Sequence, residues 1–242
     1  MMLFDKVVKK LHLKTIFYSP ICFVKLRMLG RSRDLNKLVD FVFSNSGIPM
    51  RPIQVKSEIL GLLSYMKDKR PKYMLEIGTA RGGTLYLFTR ISADDALIMS
   101  VDLPGGRFGG GYSSYKIPIY KSFALPGQRI ELIRASSHEE STKKKAQEAL
   151  GENKLDFLFI DGDHTYKGAK KDYEMYSPLV KEGGVIALHD ITPCKWAGCE
   201  VDKFWNELKA ENEYVEYVES WKQGFGGIGI ITKKGRQDFN RL

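Results

Sequence analysis

A glycine-rich turn between an apolar run and a helix pattern is the stretch of this sequence best suited to chemistry. Residues 73–83 read Tyr-Met-Leu-Glu-Ile-Gly-Thr-Ala-Arg-Gly-Gly, so Glu76 is followed by Gly78, Gly82 and Gly83. Glycine lets a backbone approach a ligand closely, and the first turn of a helix offers unpaired N–H groups. The E-x-G-x-x-x-G-G spacing differs from the G-x-G-x-x-G fingerprint of dinucleotide sites. The turn predicts a small-molecule site, against the alternative of an ordinary strand-to-helix connection.

Polar residues also follow the later strand-like runs. Asp102 comes roughly 20 residues after the glycine turn, where a carboxylate can hold ribose hydroxyls. Ser136 follows the third run, where it would border an adenine. The fourth and fifth runs end in Asp-Gly-Asp-His (161–164) and His-Asp (189–190). Each residue alone could lie in a surface loop, but five polar strand ends in register predict one site at the carboxyl edge of a parallel sheet.

The elements that must position these residues alternate between strands and helices, as in an α/β fold. Near-continuous apolar runs are typical of strands buried on both faces, and they alternate with helix signals. We therefore predict an α/β fold with a doubly wound, mainly parallel sheet, a final antiparallel pair, and a helical extension before it. The predicted parts are the helical extension 1–70, the domain 71–242, the five strands Tyr73–Ile77, Leu97–Val101, Ile130–Arg134, Phe157–Ile160 and Val185–Leu188, and the late pair Tyr214–Val218 and Gly227–Thr232.

Charge and cysteine content limit the partners. The net charge of +9 is concentrated in residues 1–37, which hold nine Lys and Arg side chains against two Asp. Such a segment suits an anionic membrane surface, an acidic glycan or nucleic acid, or it is a solvated basic extension. Its longest uncharged run, Thr15–Val24, contains Pro20 and is too short to span a bilayer, although it could lie at the interface. The three cysteines are expected to be free thiols in the cytoplasm.

Two longer motifs carry a resemblance to a known family. Ile-Asp-Gly-Asp-His-Thr-Tyr (160–166) is followed by Gly-Gly-Val-Ile-Ala-Leu-His-Asp (183–190), downstream of the glycine turn. With these motifs, residues 72–232 resemble the class I S-adenosylmethionine (SAM) dependent methyltransferases, in the group of cephalosporin-hydroxylase-like proteins and macrolide-sugar O-methyltransferases. The resemblance implies a Rossmann-like, seven-stranded sheet with SAM above its middle, and methylation of a hydroxyl on a small molecule or a sugar. The cofactor-binding residues that it implies are Glu76, Gly78, Thr79, Gly82, Gly83, Asp102, Ser136 and Asp161.

Asp161 and Asp190 are the candidate metal ligands. Neighbouring strands lie about 4.8 Å apart, so carboxylates at their ends can share one cation, and oxygen ligands suit Mg²⁺. The alternative is that both acids are satisfied by backbone N–H groups at helix N-termini. The metal-dependent relatives carry a further acid where this chain has His189. In strand geometry His189 would point away from Asp190, so its role as a ligand stays open.

His164 is the candidate general base. A hydroxyl that attacks the sulfonium methyl must lose its proton, and imidazole titrates near neutral pH. In the sugar O-methyltransferases a histidine occupies the matching place of the Asp-x-Asp-His element. The alternative is that His164 caps the helix that follows it.

Residues 104–127 combine glycines with aromatic and basic residues, which favours a lid over the substrate, against an insertion without a role. Three other functions compete with an O-methyltransferase: an RNA methyltransferase, an NAD-dependent oxidoreductase, and a non-catalytic protein that docks on a membrane or a partner. The strand ends favour the O-methyltransferase, and nucleic acid is not the expected partner. A homo-oligomer stays open.

Overall fold

The computed structural model describes residues 32–44, 50–106 and 111–235. The predictions for Thr15–Val24, for Cys22 and for most of the basic segment lie outside these ranges, as do residues 107–110 of the expected lid. Peripheral membrane contact through the N-terminal segment therefore stays a prediction. Within the described ranges, Cys194 and Cys199 are free thiols, as expected.

A seven-stranded sheet forms the centre of the described structure, with the strand order β3-β2-β1-β4-β5-β7-β6. The first five strands pair in parallel, and β7 runs antiparallel to both β5 and β6. This confirms the mainly parallel sheet and its final antiparallel pair. The strands are β1 Tyr73–Ile77, β2 Leu97–Val101, β3 Arg129–Ile133, β4 Leu155–Ile160, β5 Val180–His189, β6 Tyr214–Tyr217 and β7 Ile228–Thr232.

Helices cover both faces of the sheet because alternate side chains of each strand point to opposite faces. On one face, Phe157 and Phe159 pack with the helices that precede and follow β1. On the other face, Leu158 and Ile160 pack with the later helices. The helices are α1 Leu35–Phe43, α2 Lys56–Met66, α3 Gly83–Ile91, α4 Ile117–Lys121, α5 Glu140–Leu150, α6 Tyr166–Tyr176 and α7 Val201–Glu211.

The two helices before residue 70 form part of the same core. Leu38 and Val42 of α1 and Ile59 and Leu63 of α2 are fully buried in one cluster with Phe88 of α3. Helix α2 therefore lies against the sheet, where its N-terminal end can reach the carboxyl edge. None of the helices in the described ranges combines the length and apolar character needed to cross a membrane.

Candidate active site

The turn after β1 is held against the end of β4. Gly78 has a φ of +99°, and a Cβ atom at this position would lie 2.0 Å from the carbonyl oxygen of Asp161. The Gly78 N–H donates to the carbonyl oxygen of Val101 at the end of β2, at 2.8 Å. Only glycine accepts both this backbone conformation and this approach. The turn thereby closes tightly over the ends of three strands and leaves its outer surface to a cavity.

A cavity of about 250 Å³ lies at this carboxyl edge. Of the residues expected to hold the cofactor, six line the cavity and two do not: Gly78, Thr79, Gly83, Asp102, Ser136 and Asp161 line it, whereas Glu76 and Gly82 lie behind it. The candidate base His164 and the doubtful ligand His189 also line the cavity. The strand ends thus converge as the sequence predicts.

Glu76 lies beneath the turn instead of facing the cavity. Its carboxyl group accepts hydrogen bonds from Thr84 and from Ser100, the latter at 2.7 Å. Ser100 in turn lies 2.5 Å from the hydroxyl of Thr79, which lines the cavity. Burial raises the pKa of Glu76 to about 8, despite the two hydroxyl donors that lower it. Glu76 therefore supports the turn from below through a buried chain of hydrogen bonds.

Asp102 is held by the backbone of two loops. Its carboxylate accepts from the N–H of Ala80 in the glycine turn at 2.6 Å and from the N–H of Gly111 at 2.7 Å. Burial raises the pKa of Asp102, whereas the backbone donors lower it. Beyond Gly111, Tyr112 is buried against Tyr120 and does not line the cavity, so this part of the expected lid packs inward.

Asp161 and His189, which line the cavity, converge with Asp190, which does not. His189 Nδ1 lies 3.0 Å from Asp161 Oδ1 and 3.5 Å from Asp190 Oδ1. The expectation that His189 points away from Asp190 is wrong, because β5 ends at His189 and Asp190 adopts a left-handed conformation with a φ of +61°. Burial disfavours the charged ring, yet Asp161 and Asp190 raise the pKa of His189 well above its usual value.

His164 is paired with Asp190 across a distance of 2.7 Å between Nδ1 and Oδ2. The helix cap is its neighbour Thr165, whose hydroxyl accepts from the N–H of Gly168 at 2.9 Å. Burial lowers the pKa of His164, but Asp190 and Asp161 together raise it above its usual value. Burial also acts on Asp190, where the two histidines nevertheless hold the pKa well below its usual range. The structure therefore favours a paired histidine over a capping one.

Three residues that contribute to the site carry no sequence signal. Gln54, which precedes α2, lines the cavity and donates from Nε2 to Asp161 Oδ2 at 3.1 Å. Glu58 on α2 is buried and accepts from the N–H of Gly227 at 2.7 Å. Trp196 lines the cavity and stacks on Phe225, with 5.7 Å between ring centroids. All three lie in segments without a motif, so only the tertiary fold brings Gln54 and Trp196 to the cavity and Glu58 to Gly227.

Comparisons with known proteins agree with this geometry. A family model described as a methyltransferase domain matches residues 75–191, which contain the glycine turn, Asp102, Asp161, His164 and Asp190. Residues 75–191 are a methyltransferase domain. An uncharacterized protein of Acanthamoeba polyphaga mimivirus is 29% identical over 61% of this chain and 64% of its own length. The chain spans less than two thirds of the length of the curated relatives that it matches.

Solved structures share the fold of the methyltransferase domain at low sequence identity. An O-methyltransferase from Bacillus cereus, in complex with SAH, aligns with a TM-score of 0.55 and 17% identity over 82% of this chain and 90% of its own. MycE, a methyltransferase of the mycinamycin biosynthetic pathway in complex with Mg and SAH, aligns with a TM-score of 0.57 and 16% identity. The alignment covers 86% of this chain and 56% of MycE. The described structure therefore has the Rossmann-like fold of these methyltransferases.

The methyltransferase domain suits SAM better than it suits magnesium. Backbone N–H groups at the glycine turn and a carboxylate at the end of β2 are the donors and acceptors that an amino acid and a ribose require. By contrast, Mg²⁺ needs several oxygen ligands in octahedral geometry and usually keeps bound water. Among the described residues, two groups offer ligand atoms within 4.8 Å of one another: Asp161, His189 and Asp190, and His164, Asp190 and Cys199. In each group an imidazole stands where Mg²⁺ prefers an oxygen ligand, and the second group adds a thiol.

Proposed function

We propose that the chain is a SAM-dependent O-methyltransferase that acts on a hydroxyl group of a small molecule, which includes sugars. The observation that carries the proposal is that Gly78, Asp102 and His164 line one cavity, with His164 bound through Nδ1 to a buried aspartate. The cavity thus offers a place for the cofactor beside a base for the acceptor. The two solved neighbours described above were both crystallised with SAH, the demethylated cofactor, which supports the same cofactor here.

The cofactor would be held by the residues that line the turn and the strand ends. The start of α3 at Gly83, which lines the cavity, suits its amino-acid portion, since the first N–H groups of a helix are unpaired. Asp102 suits its ribose hydroxyls, and Ser136 also lines the cavity. When bound, SAM supplies an activated methyl group on a positively charged sulfur. Methyl transfer to oxygen is an in-line displacement, so the protein contributes mainly orientation, exclusion of water and removal of one proton.

Removal of the proton from the acceptor hydroxyl is assigned to His164. Asp190 holds Nδ1 at 2.7 Å, which fixes the ring and its tautomer and directs the lone pair to Nε2. The carboxylate also stabilises the imidazolium that forms when the acceptor hydroxyl gives up its proton. His164 lies within the Asp-Gly-Asp-His turn between β4 and α6, so its backbone is anchored at the same edge as the glycine turn. This shared edge supports the proposed role of His164 beside the glycine turn.

No step of this reaction is assigned to a metal ion. Three of the four oxygens of Asp161 and Asp190 are hydrogen-bonded, to His189, Gln54 and Gly226, and the fourth, Asp190 Oδ2, lies 2.7 Å from His164 Nδ1 as an ion pair. A metal ion would have to displace several of these contacts. The acid pair therefore acts in the proposed mechanism through the histidines that it holds.

Calorimetry followed by a transfer assay tests the proposal. SAH and SAM should each bind the purified chain with one-to-one stoichiometry, and labelled methyl should move from SAM to members of a panel of phenols, sugars and hydroxy acids. NADH serves as the control ligand and should give no heat. The proposal fails if neither SAM nor SAH binds, or if both bind and label appears only in added RNA.

A further inference from the structure

The acid pair at the ends of β4 and β5 is held by protein groups from several segments of the chain. His189 Nδ1 and Gln54 Nε2 lie 3.0 and 3.1 Å from the two oxygens of Asp161. The N–H of Gly226 and His164 Nδ1 each lie 2.7 Å from an oxygen of Asp190. In a site built for a divalent cation, carboxylate oxygens would be left for the ion. Here four protein groups from four segments of the chain lie against them, three through hydrogen bonds and His164 through an ion pair.

His189 occupies the central position in this arrangement. Its Nδ1 lies between the acids, 3.0 Å from Asp161 Oδ1 and 3.5 Å from Asp190 Oδ1. An ion bridging the same two oxygens would have to share that space with the imidazole ring. The regular strand ends at His189, and Asp190 adopts a left-handed backbone conformation, so the two side chains do not alternate as they would within a strand.

Burial restricts the room that a hydrated ion would need to the side of the cavity. The side chain of Asp190 has no exposed surface, and that of His189 is 2% exposed. Mg²⁺ gives up water reluctantly and usually keeps several water ligands when a protein binds it. Asp161 has the largest exposed fraction of the three side chains, 17%, so such water could reach the pair only from the cavity.

We propose that His189 takes the structural place of a divalent cation, so that the chain holds Asp161 and Asp190 together and turns over without one. This inference rests on the proposed function for its claim about turnover. Its claim about structure concerns only whether an ion binds beside Asp161. His189 is thus a positioning residue, which acts on the base through Asp190.

Electron paramagnetic resonance with Mn²⁺ tests the structural claim without any substrate. Wild-type protein should leave the signal of free Mn²⁺ unchanged. His189→Glu adds a third carboxylate and should bind one Mn²⁺ per chain, about tenfold more tightly than His189→Gln, which has the same shape without the charge. If both variants bind one Mn²⁺ per chain with equal affinity, the histidine ring is still the group that excludes the ion from the wild type. Circular dichroism establishes that each variant is folded.

Two results would overturn the proposal. One is stoichiometric Mn²⁺ binding by the wild type that Asp161→Asn abolishes. The other is a folded His189→Glu that binds no Mn²⁺. If His189→Glu does not fold, the wild type decides: turnover after removal of metal with EDTA should equal turnover with added Mg²⁺, and loss on chelation with recovery on Mg²⁺ contradicts the proposal. Absence of SAH binding under every condition would count against the proposed function and leave the Mn²⁺ result intact.

Discussion

Glu58 Oε2 accepts a hydrogen bond from the backbone N–H of Gly227, 169 residues further along the chain, at 2.7 Å. The preceding N–H, that of Gly226, donates to Asp190 Oδ1 at the same distance. Two adjacent peptide groups therefore link a buried acid of α2 to the buried acid that holds His164. Glu58 also accepts from the N–H of Glu219 and from Gln223, so it fixes the whole loop before β7. Helix α2 is in this way a support of the site.

Replacement of Glu58 by alanine should loosen that loop. The variant leaves the buried N–H of Gly227 without an acceptor, so we expect the free energy of unfolding to fall by about 2 kcal/mol. Turnover should fall as well, because Asp190 loses its ordered donor. Denaturant unfolding and amide hydrogen exchange of residues 219–227 measure the two effects. Ser57→Ala, which removes an exposed contact to Glu219, is the control and should change neither.

His164→Ala should keep SAH affinity and lose turnover. General-base catalysis typically contributes about 10²- to 10⁴-fold, and we expect a loss in that range because Asp190 then has no base to orient. Calorimetry with SAH shows whether the cavity is intact, and added imidazole should restore part of the rate by entering the vacated position. Activity equal to that of the wild type would remove His164 from the mechanism.

The sequence is sufficient to predict the polar residues at the strand ends but not the residues and backbone conformations that hold them in place. Asp102, Asp161 and Asp190 follow apolar runs, and the parallel sheet brings such ends together by its geometry alone. Gln54 and Asp161 are 107 residues apart in the sequence, and no periodic pattern in the sequence predicts their contact. The orientation of His189 depends on one left-handed residue, Asp190, whereas sequence patterns assume the regular alternation of a strand. Glu76 shows the same limit, because its burial follows from the packing of the turn above it.

The carboxylate of Asp102 should contribute to cofactor affinity. Asp102→Asn keeps the shape but removes the charge-assisted hydrogen bonds that a ribose would make, so we expect SAH to bind roughly tenfold to a hundredfold more weakly. Asp95→Asn is a matched control at the opposite end of β2, where Asp95 is exposed and paired with Lys72. Equal SAH affinity in the two variants, measured by calorimetry, would contradict the assignment of Asp102.

Stability should fall as the pH rises, because of Glu76. Its pKa in the folded chain is about 8, above the value of 4.5 expected in the unfolded chain, so between these pH values only the folded state keeps the proton. Each pH unit in that window should lower the free energy of unfolding by about 1.4 kcal/mol from this group. Glu76→Gln cannot ionise and should show a pH dependence that is flatter by that amount. Parallel curves for wild type and variant, from urea unfolding between pH 5 and pH 8, would refute this.

Trp196 should contribute to affinity for the acceptor and should not affect affinity for the cofactor. It is 47% exposed, lines the cavity near His164, and stacks on Phe225, so it offers a flat apolar surface beside the base. Truncation of such a residue in Trp196→Ala should raise the KM for the acceptor roughly tenfold, with SAH affinity unchanged. Trp221→Ala is the matched control, since Trp221 is 48% exposed but contacts Lys209 away from the cavity. If both variants raise the KM equally, the effect comes from general loss of apolar surface; if neither does, the acceptor binds on another side of the cavity mouth.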